Sequence, residues 1–257
     1  MLTHSHVKSI HYRIITGEHV DYKKASPIRE ETDDFVLRVE NDLASFEMKK
    51  HFSTKEDAKD YIDPYLKRWE ILIGLAHDHR DLRFEYKNAE VIDRSPDDKN
   101  SIILNVDPIR ISVSLDAVLH VSRGRFPSPP KNFENTPDVE TMYLRYKAFR
   151  EGKESLLAMA YMCLTVLETS AGGRSKAVSK YSISKAVLNK LGTICSEKGG
   201  KNQDRKAPKK GAFDVLTASE SEWVIQVVKA LIRRVGEYAY RPTTSLQAII
   251  ISDFPPV

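Results

Sequence analysis

Apolar and polar residues alternate across positions 35–48. Phe35, Leu37 and Val39, then Ala44, Phe46 and Met48, recur at every second position on either side of Glu40-Asn41-Asp42. A period of two is that of a strand with one buried face, so the stretch predicts a hairpin with one side on a core. His11-Tyr-Arg-Ile-Ile-Thr16, rich in aromatic and β-branched types, reads as a further strand. Ser53-x-x-Glu56 has the spacing of a capping box and predicts a helix start. Pro64 interrupts that helix, so a kink or two helices are expected, the second ending near His77 with Tyr65, Trp69, Leu72, Ile73 and Ala76 inward. Leu82, Phe84 and Tyr86 alternate with charged neighbours, and 101–105 and 109–121 follow as strand candidates, with a turn at 97–100. Strands that follow one another this closely favour an antiparallel sheet, since parallel pairs need long crossovers.

From residue 136 the period becomes helical, and four helices are expected. Thr136 caps the first, with Pro137 at its first position and Gly152 past its end. The second, 154–170, is apolar nearly all round, which places it centrally in a bundle, and Gly172-Gly173 stops it. Ser182 is expected to cap the third, with Ile183, Val187, Leu188, Leu191 and Ile194 inward. Thr217-x-x-Glu220 opens the fourth, with Trp223, Val224, Val227, Val228, Leu231, Ile232 and Val235 inward. Ala248–Ser252 is β-like, and an edge of the first-half sheet or of a partner's sheet is its expected place. The fold class is therefore α+β: an N-terminal, mainly antiparallel β-sheet with a helix in residues 1–125, a Pro-rich connection in 126–137, and a C-terminal α-helical bundle in 138–257.

Charge sharpens this division. Residues 1–135 carry 21 Lys+Arg against 24 Asp+Glu, whereas 136–257 carry 19 against 12, a net of +7. All eight His lie before residue 121. The longest nearly unbroken apolar run, 156–167, is far shorter than the roughly 20 residues of a membrane-spanning helix, and the first thirty residues lack the apolar stretch of a signal peptide. A cytoplasmic protein without membrane contact is expected, with Cys163 and Cys195 as free thiols.

Several residue groups are candidates for chemistry. His77-x-His79 lacks a third ligand at a recognisable spacing, so no metal and no cofactor are expected. His4, His6 and His11 belong to a terminus expected to be mobile. Gly172-Gly173-Arg174-Ser175-Lys176 follows a helix rather than a strand and lacks the spacing of a phosphate loop. Within 198–211, Lys198, Lys201, Arg205, Lys206, Lys209 and Lys210 face a single Asp204, a composition that suits phosphate contact. Arg123 and Arg125 could meet an anion near the junction of the halves, or pair with the acidic first half. Glu168, towards the end of the most apolar helix, needs a partner if buried, and Arg174, Arg233 and Arg234 are the candidates. It forms a pocket candidate together with Tyr238 and Tyr240. Cys163 on that helix reads as inert core.

The fourth helix ends Arg233-Arg-Val-Gly-Glu-Tyr238-Ala-Tyr240. Here the helical half resembles HEPN domains, bundles common in prokaryotic toxin–antitoxin and antiviral systems. Many of these are metal-independent ribonucleases that act as dimers through an Arg-x4–6-His motif. Arg233-x4-Tyr238-x-Tyr240 is similar to their Arg-x4-His-x-Tyr variant, with Tyr238 at the His position. The resemblance implies a homo-oligomer and, because a phenol near pKa 10 does not replace an imidazole in proton transfer, a copy that binds without cutting. The sequence thus points to a non-enzymatic binding or regulatory protein that engages a protein or RNA partner, in a setting of prokaryotic defence. The alternative is a metal-independent ribonuclease or other hydrolase with a site between the halves, where Arg123, Arg125 or Arg233 would meet the phosphate charge and a first-half His or Asp would move the proton.

Overall fold

The computed structural model describes residues 5–17, 20–77, 82–93, 102–106, 121–198, 215–243 and 245–256, with 102–106 and 121 through their backbone alone. The expected strand at 109–121 therefore lies outside the described residues except for its last position, as does the turn at 97–100. The chain divides into two compact units, Met1–Pro130 and Lys131–Val257.

The first unit is an antiparallel sheet with one long helix. Strands β1 (Ser5–Ile15), β3 (Ile28–Glu31), β4 (Phe35–Glu40), β5 (Leu43–Met48), β6 (Arg83–Asp93) and β7 (Ile102–Val106) align in the order β3-β4-β5-β1-β6-β7. The hairpin closes through Asn41 and Asp42, both at positive φ, the combination that lets a two-residue turn follow the strand twist. Phe35 faces Met48, Leu37 faces Phe46 and Val39 faces Ala44, and all six are buried. The N-terminal stretch is not a loose end: β1 is an interior strand, bonded to β5 on one side and β6 on the other. Two register shifts interrupt the β1–β6 pair, between Val7 and Ser9 and between His11 and Tyr12. One extra residue reverses the inward phase, so Val7 gives way to Ile10, Tyr12 and Ile14, and Phe84 and Tyr86 to Ala89 and Val91. A short parallel pair, β2 (Val20–Asp21) with β8 (Val121–Ser122), forms a second, separate sheet among the described residues.

Helix α1 (Lys55–Ala76) covers the apolar face of the sheet with Ala58, Ile62, Tyr65, Leu66, Trp69 and Ile73. Its cap is Thr54, whose hydroxyl accepts the Asp57 amide, and not the Ser53 that the spacing indicated. The expected break at Pro64 does not divide it: one helix runs through. Pro64 lies on the exposed side, where the carbonyl it strands can meet water while the buried stripe stays continuous. The last turn also departs from the expected stripe, with Leu72 half-buried and Ala76 exposed, because Ile71 and Leu75 turn inward instead.

The described residues of the second unit form five α-helices, one more than expected: α2 (Pro137–Arg150), α3 (Leu156–Ala171), α4 (Arg174–Tyr181), α5 (Lys185–Glu197) and α6 (Ala218–Tyr240). Thr136, Ser155, Ser184 and Thr217 each accept an amide of the first turn, and each such cap is worth about 1 kcal/mol. Thr217 and Glu220 form the expected capping box. The additional helix, α4, has no side-chain cap and few inward residues, so the pattern did not reveal it. Gly172 ends α3 in the left-handed region, and the chain turns through 82° into α4. Ser182, expected to cap α5, instead closes α4 in the left-handed region, and Ser184 takes the cap.

Helix α3 touches α2, α4, α5 and α6, which fits its apolar circumference. All seven residues expected inward on α6 are buried, each contributing about 1.5–3 kcal/mol over exposure. The tail finds a β-bridge within its own unit: Ile249 bridges Ile183, and a 3-10 turn, Ile251–Asp253, follows. No single described helix is long and apolar enough to cross a membrane.

Candidate functional site

At the C-terminal end of α6 the two consecutive arginines part. Arg234 is buried, and its guanidinium donates to the Tyr181 carbonyl at 2.8 Å, the Ser182 carbonyl at 3.2 Å and Glu237 Oε2 at 3.2 Å. The end of α4 leaves these carbonyls without helical partners, and Arg234 fills that role. Arg233 points outward and pairs with Glu237 Oε1 at 3.1 Å. Tyr238 meets Tyr181 edge-on, with centroids 5.2 Å apart, and Lys180 Nζ stands over both rings at 5.4 and 4.9 Å. The Tyr181 and Ser170 hydroxyls are 3.0 Å apart, and Lys180 Nζ also donates to the Ser170 carbonyl at 3.2 Å. Together these contacts pin the ends of α3, α4 and α6. Tyr240 is 42% exposed, with Arg241 over its ring.

Glu168 does not join that cluster. Of its three candidate partners the structure selects Arg174, whose Nε donates to Oε1 at 2.5 Å while Nη1 reaches Asn189 Oδ1 at 3.1 Å. The guanidinium lies over Gly192, where a Cβ would come within 3.1 Å of it. Lys198 pairs with Glu220 at 3.4 Å, and the Thr217 amide, with Lys198 adding to it, holds that carboxyl below the ordinary carboxylate range. Lys201, Arg205, Lys206, Lys209 and Lys210 lie outside the described residues. Arg123 and Arg125 belong to the first unit: the Arg123 amide donates to the Asp21 carbonyl at 2.8 Å, and Arg125 bridges Ser26.

The first unit holds a polar constellation that the sequence pattern did not single out. Opposite α1, two cross-strand rows run across the sheet. One is Arg29, Arg38, Ser45, His11 and Asn88; the other is Glu31, Val36, Glu47, Ser9 and Glu90. His11 Nδ1 lies 2.9 Å from Ser45 Oγ and Nε2 lies 2.9 Å from Ser9 Oγ, while Ser9 Oγ donates to Glu90 Oε2 at 3.3 Å. Lys8 pairs with Glu90 at 3.1 Å. Burial lowers the His11 pKa from its ordinary value against the pull of Glu90, and Lys87 adds to the lowering. The available signal was the second phase of the alternation: once Ile10 and Tyr12 are inward, Ser9 and His11 share the other face.

Two other features complete the unit. His6, buried at the start of β1, stacks on His51 with their Nδ1 atoms 3.2 Å apart. Beside α1, a shallow cleft of about 200 Å³ is lined by Tyr12, Asp63, Glu70 and Tyr86 among others, with the Tyr12 hydroxyl donating to Asp63 at 2.7 Å. Burial, reinforced by that bond, pushes the Tyr12 phenol up, so it stays protonated there. His77 is described and caps α1, His79 is not, and among the described residues no group of three or more His, Cys, Asp or Glu is placed to hold a metal ion.

No protein-family model, curated protein or solved structure matches this chain.

Proposed function

We propose that the protein works by binding, with the helical unit engaging an RNA partner and cutting nothing at the Arg233–Tyr238–Tyr240 positions. The carrying observation is the charge balance of that unit. Residues 136–257 have a net charge of +7, and Glu151, Glu154, Glu168, Glu220 and Glu237 are each already matched to a cation within the unit. The surplus left for a partner is cationic, which suits a polyanion held through phosphate contacts. The motif positions support a non-catalytic reading. Arg233 is paired with Glu237, Tyr238 is packed on Tyr181, and residues 121–257 contain no imidazole for proton transfer.

A salt series with a single-stranded RNA tests the proposal. The expected result is affinity that falls steeply with salt and weakens further in the Lys206→Ala, Lys209→Ala, Lys210→Ala triple variant. Salt-independent binding, or no binding to any RNA at low salt, counts against it.

A further inference from the structure

We propose that Ser45 is a nucleophilic serine, activated by His11 at the end of a one-way hydrogen-bond relay that begins at Glu90, and that it takes acyl groups from anionic carboxylic esters. This inference is independent of the RNA reading and concerns the other unit.

The direction of the relay follows from counting protons. An ionised carboxylate only accepts, so the single Ser9 hydroxyl proton goes to Glu90 Oε2. Ser9 Oγ must then accept the proton of its second contact, from His11 Nε2 at 2.9 Å. A neutral imidazole with its proton on Nε2 has a bare Nδ1, so the Ser45 hydroxyl donates to it at 2.9 Å. A serine hydroxyl donating to a bare imidazole nitrogen is the arrangement of an activated nucleophile, with the imidazole oriented by further groups behind it. Glu90 and Ser9 act through His11 and are positioning residues. The lowered pKa keeps His11 in its basic form at neutral pH.

Two structural features single out this stretch of sheet. Both register shifts of the β1–β6 pair flank it, one just before Ser9 and one just after His11, and a bulge re-aims the side chains beside it. Arg38 is the residue paired with Ser45 on β4, and Arg29 follows it in the row. Both arginines are largely exposed, Arg29 paired with Glu31 and Arg38 with Glu47, so the nucleophile has a base on one side and, on the other, two guanidinium groups in surface ion pairs weak enough to be exchanged for a substrate anion. An ester with a negatively charged acyl group matches that polarity.

The chemistry balances without a further reagent. Ser45 Oγ attacks the acyl carbon as its proton passes to His11 Nδ1. The ester C–O bond breaks, and the leaving alkoxide takes that proton from His11. Water, deprotonated by His11 in the same manner, then releases the acid and restores Ser45. The imidazolium formed midway still donates to Ser9, whose hydroxyl in turn still donates to the Glu90 carboxylate.

Three measurements on the full chain test the proposal. Nitrogen-15 NMR of the wild-type protein at neutral pH should show His11 with its proton on Nε2; a proton on Nδ1 overturns the relay without requiring any variant. A fluorophosphonate probe should label Ser45, and labelling should be lost in Ser45→Ala and slowed about a hundredfold in His11→Ala. Glu90→Gln is the decisive variant, because an amide can donate to Ser9 and reverse the relay. It should move the His11 proton to Nδ1 and slow labelling about tenfold or more. Labelling of another residue, no labelling at all, or an unchanged rate in Glu90→Gln overturns the proposal. For the substrate class, 4-nitrophenyl hemisuccinate should be cleaved faster than 4-nitrophenyl butyrate, with the preference lost in Arg38→Gln; equal rates in the wild type overturn that part.

Discussion

Gly236→Ala is a substitution that helix propensity alone would favour, and the packing of the helical unit reverses its sign. Gly236 lies within α6, and a Cβ built there meets three atoms of the Phe133 ring, all closer than 3.0 Å. Phe133 is buried, and the segment carrying it is tied to the helix by the Glu134 amide donating to the Gly236 carbonyl at 3.0 Å. The obstruction is a ring held by a bonded loop, so relief means driving the ring out or moving the loop. Losing a buried phenylalanine costs about 3–5 kcal/mol. Alanine over glycine in a helix returns about 1 kcal/mol. The net expectation is a loss of about 2–4 kcal/mol from the helical unit.

The assay must report that unit alone, since two compact units need not unfold together. The chain has two tryptophans, Trp69 in the first unit and Trp223 in the second. A Trp69→Phe background therefore leaves one fluorophore on α6, and urea unfolding followed by its emission reads the relevant transition. In a Phe133→Ala background the obstruction is gone, and Gly236→Ala should then stabilise by about 0.5–1 kcal/mol. A Gly236→Ala variant as stable as its parent, or one that costs the same in both backgrounds, refutes the reasoning.

Other consequences follow from the same structure. Arg234→Gln should lower the stability of the helical unit by about 3 kcal/mol, since the Tyr181 and Ser182 carbonyls lose a charged donor, whereas Arg233→Ala should change it by about 0.5 kcal/mol or less; equal losses in urea unfolding contradict the division of roles. Burial pushes the Cys163 thiol up, so in the folded chain Ellman's reagent should leave Cys163 untouched at mildly alkaline pH, and its rapid modification would contradict the packing of α3. The His11 pKa is depressed below 6.5 in the folded chain, so unfolded chains take up the proton first as pH falls. The contribution of His11 to stability is thus complete above about pH 6.5 and is lost as pH drops through the folded-state value. Urea midpoints between about pH 7.5 and 5 should flatten over this range in His11→Gln, and an unchanged slope contradicts that origin.

What the sequence discloses here depends on how many levels of structure agree. In the β4–β5 hairpin the alternation, the Asn41-Asp42 turn and the burial all coincide, so it is legible residue by residue. Likewise α6 announces itself through its capping box and its inward stripe. Legibility fails where a local signal has a competitor. Ser53 and Thr54 stand side by side before α1, and either spacing could open a helix. Pro64 looks like an end until its exposed position is known. Helix α4 begins after two glycines with no side-chain cap, so nothing in the pattern marks it.

The chemistry was harder to read than the fold. The partner of Glu168 was among the three arginines the sequence offered, but Arg234 proved to be the buried structural residue of its pair. The Ser9–His11–Ser45–Glu90 set was invisible because its members come from three strands and depend on register. Two of the residues are distant in sequence, and two bulges shift the alternation that would have aligned them. No single-strand pattern carries that information.

Cleavage and binding measured together on one labelled RNA test the central claim most directly. The full chain, incubated with a single-stranded RNA at low and at physiological salt, should retain the RNA intact at low salt, release it as salt rises, and behave the same after Arg233→Ala. RNA cut by the wild type and spared by Arg233→Ala would contradict the account, since α6 would then carry catalysis.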